Sequence, residues 1–415
     1  MPVPRRYTAG WVLPFEGPPV ADGAVLVDEH GRIAAVGPAR NVPGSPAVHE
    51  VALGPASALL PGFVNAHTHL ELTGLDAAAP ESDFPAWIRR IIAVKAARSP
   101  AQFLEAARQG VRDGWAQGIT TVADTGDTGA VMVALAELGG SGICYHEVFG
   151  PHPDVAEIQF AAWVTRMEEL AEHATPRVRL GASPHAPYSV SGPLYRRVAR
   201  WADARGMPLA VHLAESAEES LLLEGRGGFA DAWKGRGIPM PEAGGRSPVE
   251  WLDQHEVLGP RTLCIHMVRA SGSDLDLVRS RHSAIAHCPR SNRRHGHGDA
   301  PLPAMLARGI QVGVGTDSVA SVSPLDLLAE ARVARAIGGL GATQALELVT
   351  LGAARAIGLD REIGSLVPGK WADLVAVDLG RPVDAAELAD TVLARGGQAV
   401  RMTVLGGRTV FEQQP

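Results

Sequence analysis

The sequence predicts an α/β protein: a (β/α)8 TIM barrel with a small β-sandwich domain built from both chain ends. Three observations predict it. Between residues 58 and 358 short apolar runs alternate with longer helix-patterned segments, both termini carry short strand-like runs instead, and residues able to bind metal or move protons stand at the C-terminal ends of the central runs. Strand alternating with helix argues for a parallel sheet, and eight such units over about 300 residues favour closure into a barrel over an open doubly wound sheet. The expected division is residues 1–58 with 360–415 for the small domain and 59–359 for the barrel.

Taken in order, Ala-Val-Leu-Val-Asp-Glu at 24–29 and Ile-Ala-Ala-Val-Gly at 33–37 flank His30-Gly31-Arg32, a β-hairpin signal. Eight strand-like runs follow at 59–66, 119–124, 142–148, 178–183, 208–213, 262–267, 283–287 and 311–316. Between them, Ser99-Pro100 opens a helix that Gly118 closes, Ser191 to Gly206 carries Leu194, Val198 and Trp201 at helical spacing, and Ser323-Pro324 opens another. Residues 227–247 read as a Gly-rich loop. The C-terminus returns to strands at Leu374–Asp378, Arg401–Leu405 and Thr409–Phe411, with Gly406-Gly407 as a turn.

Composition narrows the function classes. The 415 residues are 46% hydrophobic and 20% charged, enough for a large core, with 38 Lys+Arg against 45 Asp+Glu and a net charge of −7. An acidic chain without a basic block is a poor binder of nucleic acid or anionic membrane. No apolar run approaches the ~20 residues of a membrane span, and Pro and Glu interrupt the N-terminus too early for a signal-peptide core. Cys144, Cys264 and Cys288 lie far apart with no C-x-x-C pair, which excludes a disulfide framework or zinc knuckle. A soluble cytoplasmic protein with reduced thiols is expected.

The chemistry is positional. The first run ends Asn65-Ala-His67-Thr-His69, the fourth Ser183-Pro-His185, the fifth His212-Leu-Ala-Glu215, the sixth Ile265-His266 and the eighth Gly315-Thr-Asp317-Ser318. In a barrel these ends share one mouth, the active-site face. His67 and His69, two apart on a strand, point to the same side. Alone they would read as loop histidines; with His212 and Asp317 at matching ends they read as ligands of one divalent ion of the zinc type. Such a centre makes hydroxide available at neutral pH. Glu215, three residues beyond His212, suits a general acid/base. His266 would orient the nucleophilic water, and His185 suits a substrate contact better than a ligand.

Other patterns fail. His295-Gly-His297-Gly-Asp299 offers metal-type residues, but on a Gly-rich loop. His69-Leu-Glu71 matches the H-x-E half of another zinc-deaminase signature, yet the P-C-x-x-C half is absent from the sequence. The only lysines are Lys95, Lys234 and Lys370, none at a strand end, so a dinuclear centre bridged by a carboxylated lysine is not expected and a mononuclear one is.

Over essentially its whole length the chain resembles the amidohydrolase superfamily. The resemblance rests on Pro61-Gly-Phe-Val-Asn-Ala-His-Thr-His69, His212-Leu-Ala-Glu215, His266, Gly315-Thr-Asp-Ser318 and Gly364-Ser-Leu-Val-Pro-Gly-Lys-Trp-Ala-Asp-Leu374. It implies a metal, zinc first and Fe2+ second, held by His67, His69, His212 and Asp317, with Glu215, His266 and Asp317 handling protons. Pro184-His-Ala-Pro-Tyr188 and His287-Cys-Pro-Arg-Ser-Asn292 are similar to the branch that deaminates adenine nucleosides, including S-adenosylhomocysteine/methylthioadenosine deaminases. Trp87 resembles the tryptophan lining the nucleoside pocket there, with a helix-core role as the alternative. His67-Thr-His-Leu-Glu-Leu72 and Tyr145-His-Glu-Val-Phe-Gly150 are more similar to aminodeoxyfutalosine deaminases of menaquinone biosynthesis. This makes Glu71 a candidate substrate contact. Arg290, standing where the neighbouring branch tends to have a small residue, is the candidate clamp for the benzoate carboxylate, with Arg293, Arg294 or a mere surface role as the alternatives. The implied partner is a small-molecule adenine nucleoside, with a homo-oligomer left open. Guanine-type deamination, chloro-aromatic hydrolysis and an inactive barrel scaffold are the alternatives.

Overall fold

A computed structural model describes residues 3–76 and 83–413. Eight parallel strands lie side by side in sequence order: Phe63–Thr68, Ile119–Gly126, Gly142–Val148, Val178–Pro184, Leu209–Leu213, Thr262–His266, Ala284–His287 and Val312–Val314. Their residues are almost all buried, as befits strands covered by helices outside and packed side chains inside. The ring closes where the His67 carbonyl accepts from Thr316 N at 3.0 Å and Asp317 N at 3.1 Å. First and last strand are thereby tied at the residues that carry the site.

The chain-end strands form a second sheet, in the order 408–412, 400–405, 374–378, 57–61, 5–12, 20–27 and 33–38, with 49–52 also on 5–12. Both ends of the chain are needed to build it, because Ser57–Pro61 pairs antiparallel with Leu374–Asp378 and parallel with Arg5–Val12. Two turns meet at its rim, where a Cβ on Gly31 (φ +75°) would stand 2.2 Å from the Gly406 carbonyl. Asp373, 2% exposed at its side chain, pairs at 2.5 Å with Arg177 just before the fourth barrel strand. Removing one partner of such a buried pair costs about 3–5 kcal/mol.

Three sequence expectations are corrected. The run at 59–66 is two strands, divided at Gly62, where a Cβ would meet the Thr120 side chain at 2.3 Å. The stretch 227–247 contains a helix, Gly227–Gly235, because Phe229 and Trp233 at four-residue spacing bury one face; Phe229 stacks on Tyr188 at 4.2 Å. The helix expected from Ser323-Pro324 begins at Leu327, capped by Asp326, whose carboxylate accepts from Ala329 N at 3.0 Å. The helix Pro100–Ala116 does open on a Ser99/Gln102 capping box. Among the described residues no helix is long and apolar enough to cross a membrane.

Candidate metal centre and active site

The strand ends bring His67, His69 and His212 together so that one ligand atom from each lies within 4.8 Å of the others. Asp317 Oδ1 faces His69 Nε2 at 3.5 Å and His67 Nε2 at 3.7 Å. Burial pushes the His69 and His212 imidazoles well below their ordinary range, so both are neutral, the form that ligates metal. Burial alone would raise Asp317, but the facing His67 ring and the neighbouring His266 and His69 imidazoles hold it well below the usual carboxylate range. Both ring nitrogens of His67 are buried without a hydrogen-bond partner. Buried polar atoms are rarely left so, and three imidazoles with one carboxylate are a donor set that accounts for His67 Nε2, the nitrogen facing Asp317, by taking a divalent ion.

Titratable and hydrogen-bonding groups surround this cluster. Glu215 is buried, and burial pushes its carboxyl up to about 7, with His266 opposing the shift. Its Oε1 lies 3.6 Å from His266 Nε2 and 3.6 Å from His297 Nε2. The other His266 nitrogen, Nδ1, donates to Asn292 Oδ1 at 2.9 Å, which leaves Nε2 facing the site. Ser291 Oγ donates to Asp317 Oδ2 at 2.5 Å. The backbone at these ends is unusual: Ala214, His266, Met267 and Asp317 have φ between 50° and 73° without being glycine. Such left-handed residues cost of order 1–3 kcal/mol each and persist where surrounding structure fixes them. At 214–216 that support is Glu219, whose buried carboxylate accepts from Ala214 N at 2.8 Å and Glu215 N at 2.7 Å.

A cavity of about 650 Å³ opens over the cluster, reaching His69, His212, Glu215, His266 and Asp317 at its floor. Phe84, Trp87, Tyr188, Phe229 and Trp233 make its walls largely aromatic. Trp87 sits on the helix Phe84–Ala96, 8% exposed, stacked on Phe84 at 5.8 Å and edge-on to His295 at 4.5 Å. Its Nε1 is buried and has no partner. His185 also lines the cavity, with Nδ1 bonded to Ser189 Oγ at 2.7 Å and Phe149 packed on its ring.

Two candidate contacts are not brought to the cavity. The Arg290 guanidinium faces the buried Glu330 carboxylate at 3.6 Å and donates to the Pro324 carbonyl, because a buried acid at that point draws the counter-charge inward. Glu71 is 1% exposed and accepts from Lys95 Nζ at 2.7 Å and Thr128 Oγ1 at 2.5 Å. It stands behind Lys95, and Lys95 reaches the cavity in its place. Asn292, Ser291, His297, Lys95 and Glu147 are the groups that sequence reasoning left without a role. Glu147 carried a usable signal, since it stands at the C-terminal end of the third run as His67, His185, His212, His266 and Asp317 stand at the ends of theirs. The Gly-rich 295–299 loop, set aside as a metal site, brings His297 to Glu215 instead.

A family model described as the amidohydrolase family matches residues 58–410. The chain is 30% identical over 422 residues to the 5-methylthioadenosine/S-adenosylhomocysteine deaminase of Moorella thermoacetica, covering 96% of this chain and 92% of the relative. The crystal structure of an adenosine deaminase from Xanthomonas campestris with bound zinc superposes with a TM-score of 0.82 at 27% identity, over 98% of this chain and 92% of that one. That of the Helicobacter pylori aminofutalosine deaminase has a TM-score of 0.86 at 22% identity, over 98% and 100%.

Proposed function

The chain belongs to the amidohydrolase family, and from that premise we propose that it is a hydrolytic adenine-nucleoside deaminase, replacing the C6 amine with oxygen and releasing ammonia. One observation carries the reading: a buried carboxyl poised near 7, Glu215, and a second carboxylate, Asp317, flank one imidazole cluster at the floor of an aromatic cavity. An aromatic-walled slot suits a flat purine. The names of the Moorella and Xanthomonas relatives support the substrate class.

When bound, a divalent ion held by His67, His69, His212 and Asp317 supplies hydroxide at neutral pH by lowering the pKa of water to about 7. Zinc suits three imidazoles and a carboxylate, with iron(II) second. The remaining steps belong to the chain's own residues. Glu215, protonated near neutrality, donates to N1 of the purine, so negative charge does not build on the ring as C6 becomes tetrahedral. Asp317 accepts one proton from water and passes it to the departing amine. As the C–N bond breaks and ammonia leaves, the C6 hydroxyl gives its proton back to Glu215 and becomes the carbonyl. His266, its Nδ1 held by Asn292, presents Nε2 to orient the attacking oxygen.

For the substrate we favour aminodeoxyfutalosine, converted to futalosine in menaquinone biosynthesis. The motifs at His67–Leu72 and Tyr145–Gly150 support it, as do Ile92 (61% exposed) and Phe149 (37%) at the cavity wall, apolar groups suited to an aromatic 5′ substituent. A second reading, deamination of methylthioadenosine or S-adenosylhomocysteine, is favoured by the Moorella relative and by the engagement of Arg290 with Glu330, which leaves Arg290 turned away from a substrate carboxylate. The deciding experiment is kcat/KM for ammonia release from aminodeoxyfutalosine, S-adenosylhomocysteine, methylthioadenosine and adenosine on one metal-loaded preparation. A preference of about 100-fold for the first, ~2.7 kcal/mol of transition-state discrimination, supports the finer substrate. Near-equal rates leave a general adenosine-type enzyme, and no ammonia from any of the four overturns the nucleoside reading.

A further inference from the structure

The cavity is lined by two acids that the proton steps above do not use, and of these Asp127 is paired with Lys95 at 2.6 Å while Glu147 is not. Glu147, at the end of the third barrel strand, lines the cavity with a side chain only 4% exposed, and its Oε1 is buried with no hydrogen-bond partner. Two nearby groups could have satisfied it and do not. Lys95 gives its bonds to Glu71 at 2.7 Å and Asp127 at 2.6 Å. His185 Nε2 stops 3.9 Å short.

Glu147, His185 and His212 also lie close enough to hold an ion, but the orientation of His212 speaks against a second metal. Its Nε2 points to His69 at 3.4 Å, into the first cluster, while its Nδ1 donates to the His185 carbonyl at 3.2 Å. Glu147 Oε1 is 4.0 Å from that same Nδ1. It therefore stands on the side of the His212 ring turned away from Asp317, beyond reach of the reacting centre. Burial pushes the Glu147 carboxyl well above its ordinary range, against the pull of Lys95, so this unpaired buried acid beside an imidazole, facing a ligand cavity, suits a ligand bearing neutral hydroxyls and not a cation. A vicinal diol offers two hydroxyls that can each donate to the carboxyl group or accept from it, and its oxygens can bond either tautomer of His185.

We propose that Glu147, with His185 beside it, receives the 2′- and 3′-hydroxyls of the ribose of the bound nucleoside. The inference rests on the nucleoside-deaminase reading. It makes Glu147 a specificity-determining residue: it selects the sugar, while Glu215 and Asp317 serve the base. A site built to bond a hydroxyl rejects the analogue that lacks it, because the buried acceptor is then left unpaired.

The test compares adenosine with 2′,3′-dideoxyadenosine on the zinc-loaded wild type, Glu147→Ala and Glu147→Gln. The calorimetric Kd of inosine and of 2′,3′-dideoxyinosine is measured alongside, as a readout independent of turnover. Metal content and circular dichroism establish that each variant is folded. The wild type is expected to prefer the ribonucleoside by about 100-fold, Glu147→Ala to bring that ratio within about 3-fold through KM rather than kcat, and Glu147→Gln, keeping one acceptor, to fall between. A wild type indifferent to the hydroxyls, or a Glu147→Ala protein as selective as the wild type, overturns the inference while ammonia release still upholds the deaminase reading. If neither nucleoside is deaminated, that reading fails, and equal Kd values for the two inosines then overturn the inference as well. A second ion per chain in the wild type that Glu147→Ala loses would also overturn it.

Discussion

Ser291 Oγ stands 2.5 Å from Asp317 Oδ2, so one oxygen of that carboxylate is bonded away from the imidazole cluster while Oδ1 faces His67 and His69. The bond fixes which oxygen is offered and in what direction. Groups that orient a ligand in this way are typically worth 10–100-fold in metal affinity or activity. Ser291→Ala is accordingly expected to weaken metal binding or kcat by about 10-fold or more. Competition with a chromophoric chelator and kcat at saturating metal separate the two effects, and a variant unchanged in both would show the bond to be incidental.

In the proposed mechanism Glu215 serves the proton steps, while the imidazoles would hold the ion. Glu215→Gln keeps the shape and the backbone bonds from 214–216 to Glu219, but it has no proton to donate to N1. Its metal content should match the wild type while kcat falls by about 10²–10⁴-fold. His67→Ala should instead lose metal and activity together. Normal turnover by the Glu215→Gln protein would show that N1 receives its proton elsewhere.

The legible part of this molecule is the part governed by alternation and by strand ends. His67, His69, His212, His266 and Asp317 each follow a short apolar run, and parallel strands in sequence order deliver such positions to one mouth. Side chains just beyond the strand ends are another matter. Arg290 turns inward because Glu330, forty residues later on the helix Leu327–Gly338, is buried and needs a counter-charge. Glu71 is taken up by Lys95 from a different helix. Neither partner is near in sequence, so no local pattern announces it. Gly62 was hidden for a similar reason: the run 59–66 is uniformly apolar, and only the Thr120 side chain against Gly62 shows where it changes sheets.

Buried histidines make the fold acid-sensitive. Burial pushes His146 down to about 4 and His287 down to about 3, against 6.5 for the free side chain. Above pH 6.5 both folded and unfolded chains hold these rings neutral, and their stability contribution is fully present. As pH falls from 6.5 towards 4 the unfolded chain takes up protons that the folded one cannot, so stability declines by up to about 1.4 kcal/mol per pH unit for each ring. Urea midpoints at pH 7.5 and 5.0 on metal-stripped protein should show the loss. His146→Leu should reduce it by the share of one ring, and an equal pH dependence in that variant would mean His146 is protonated in the fold.

Trp87 separates a packing role from a binding role. If it were only core, its loss would lower Tm and leave KM alone. The structure gives it both a buried face against Phe84 and His295 and an unpartnered Nε1 at the cavity. Trp87→Phe preserves most of the apolar contact while deleting the N–H and part of the ring. It is expected to hold Tm within a few degrees and raise KM for the nucleoside by about 10-fold, some 1.4 kcal/mol, with little change in kcat, since binding of ground and transition states is lost alike. Trp87→Ala should lower Tm as well, because an indole-sized cavity in a cluster with Phe84, Tyr188 and Phe229 costs about 3–5 kcal/mol. A Trp87→Phe protein with wild-type KM and reduced Tm would assign the residue to the core, and the aromatic wall of the base site would then rest on Tyr188 and Phe84.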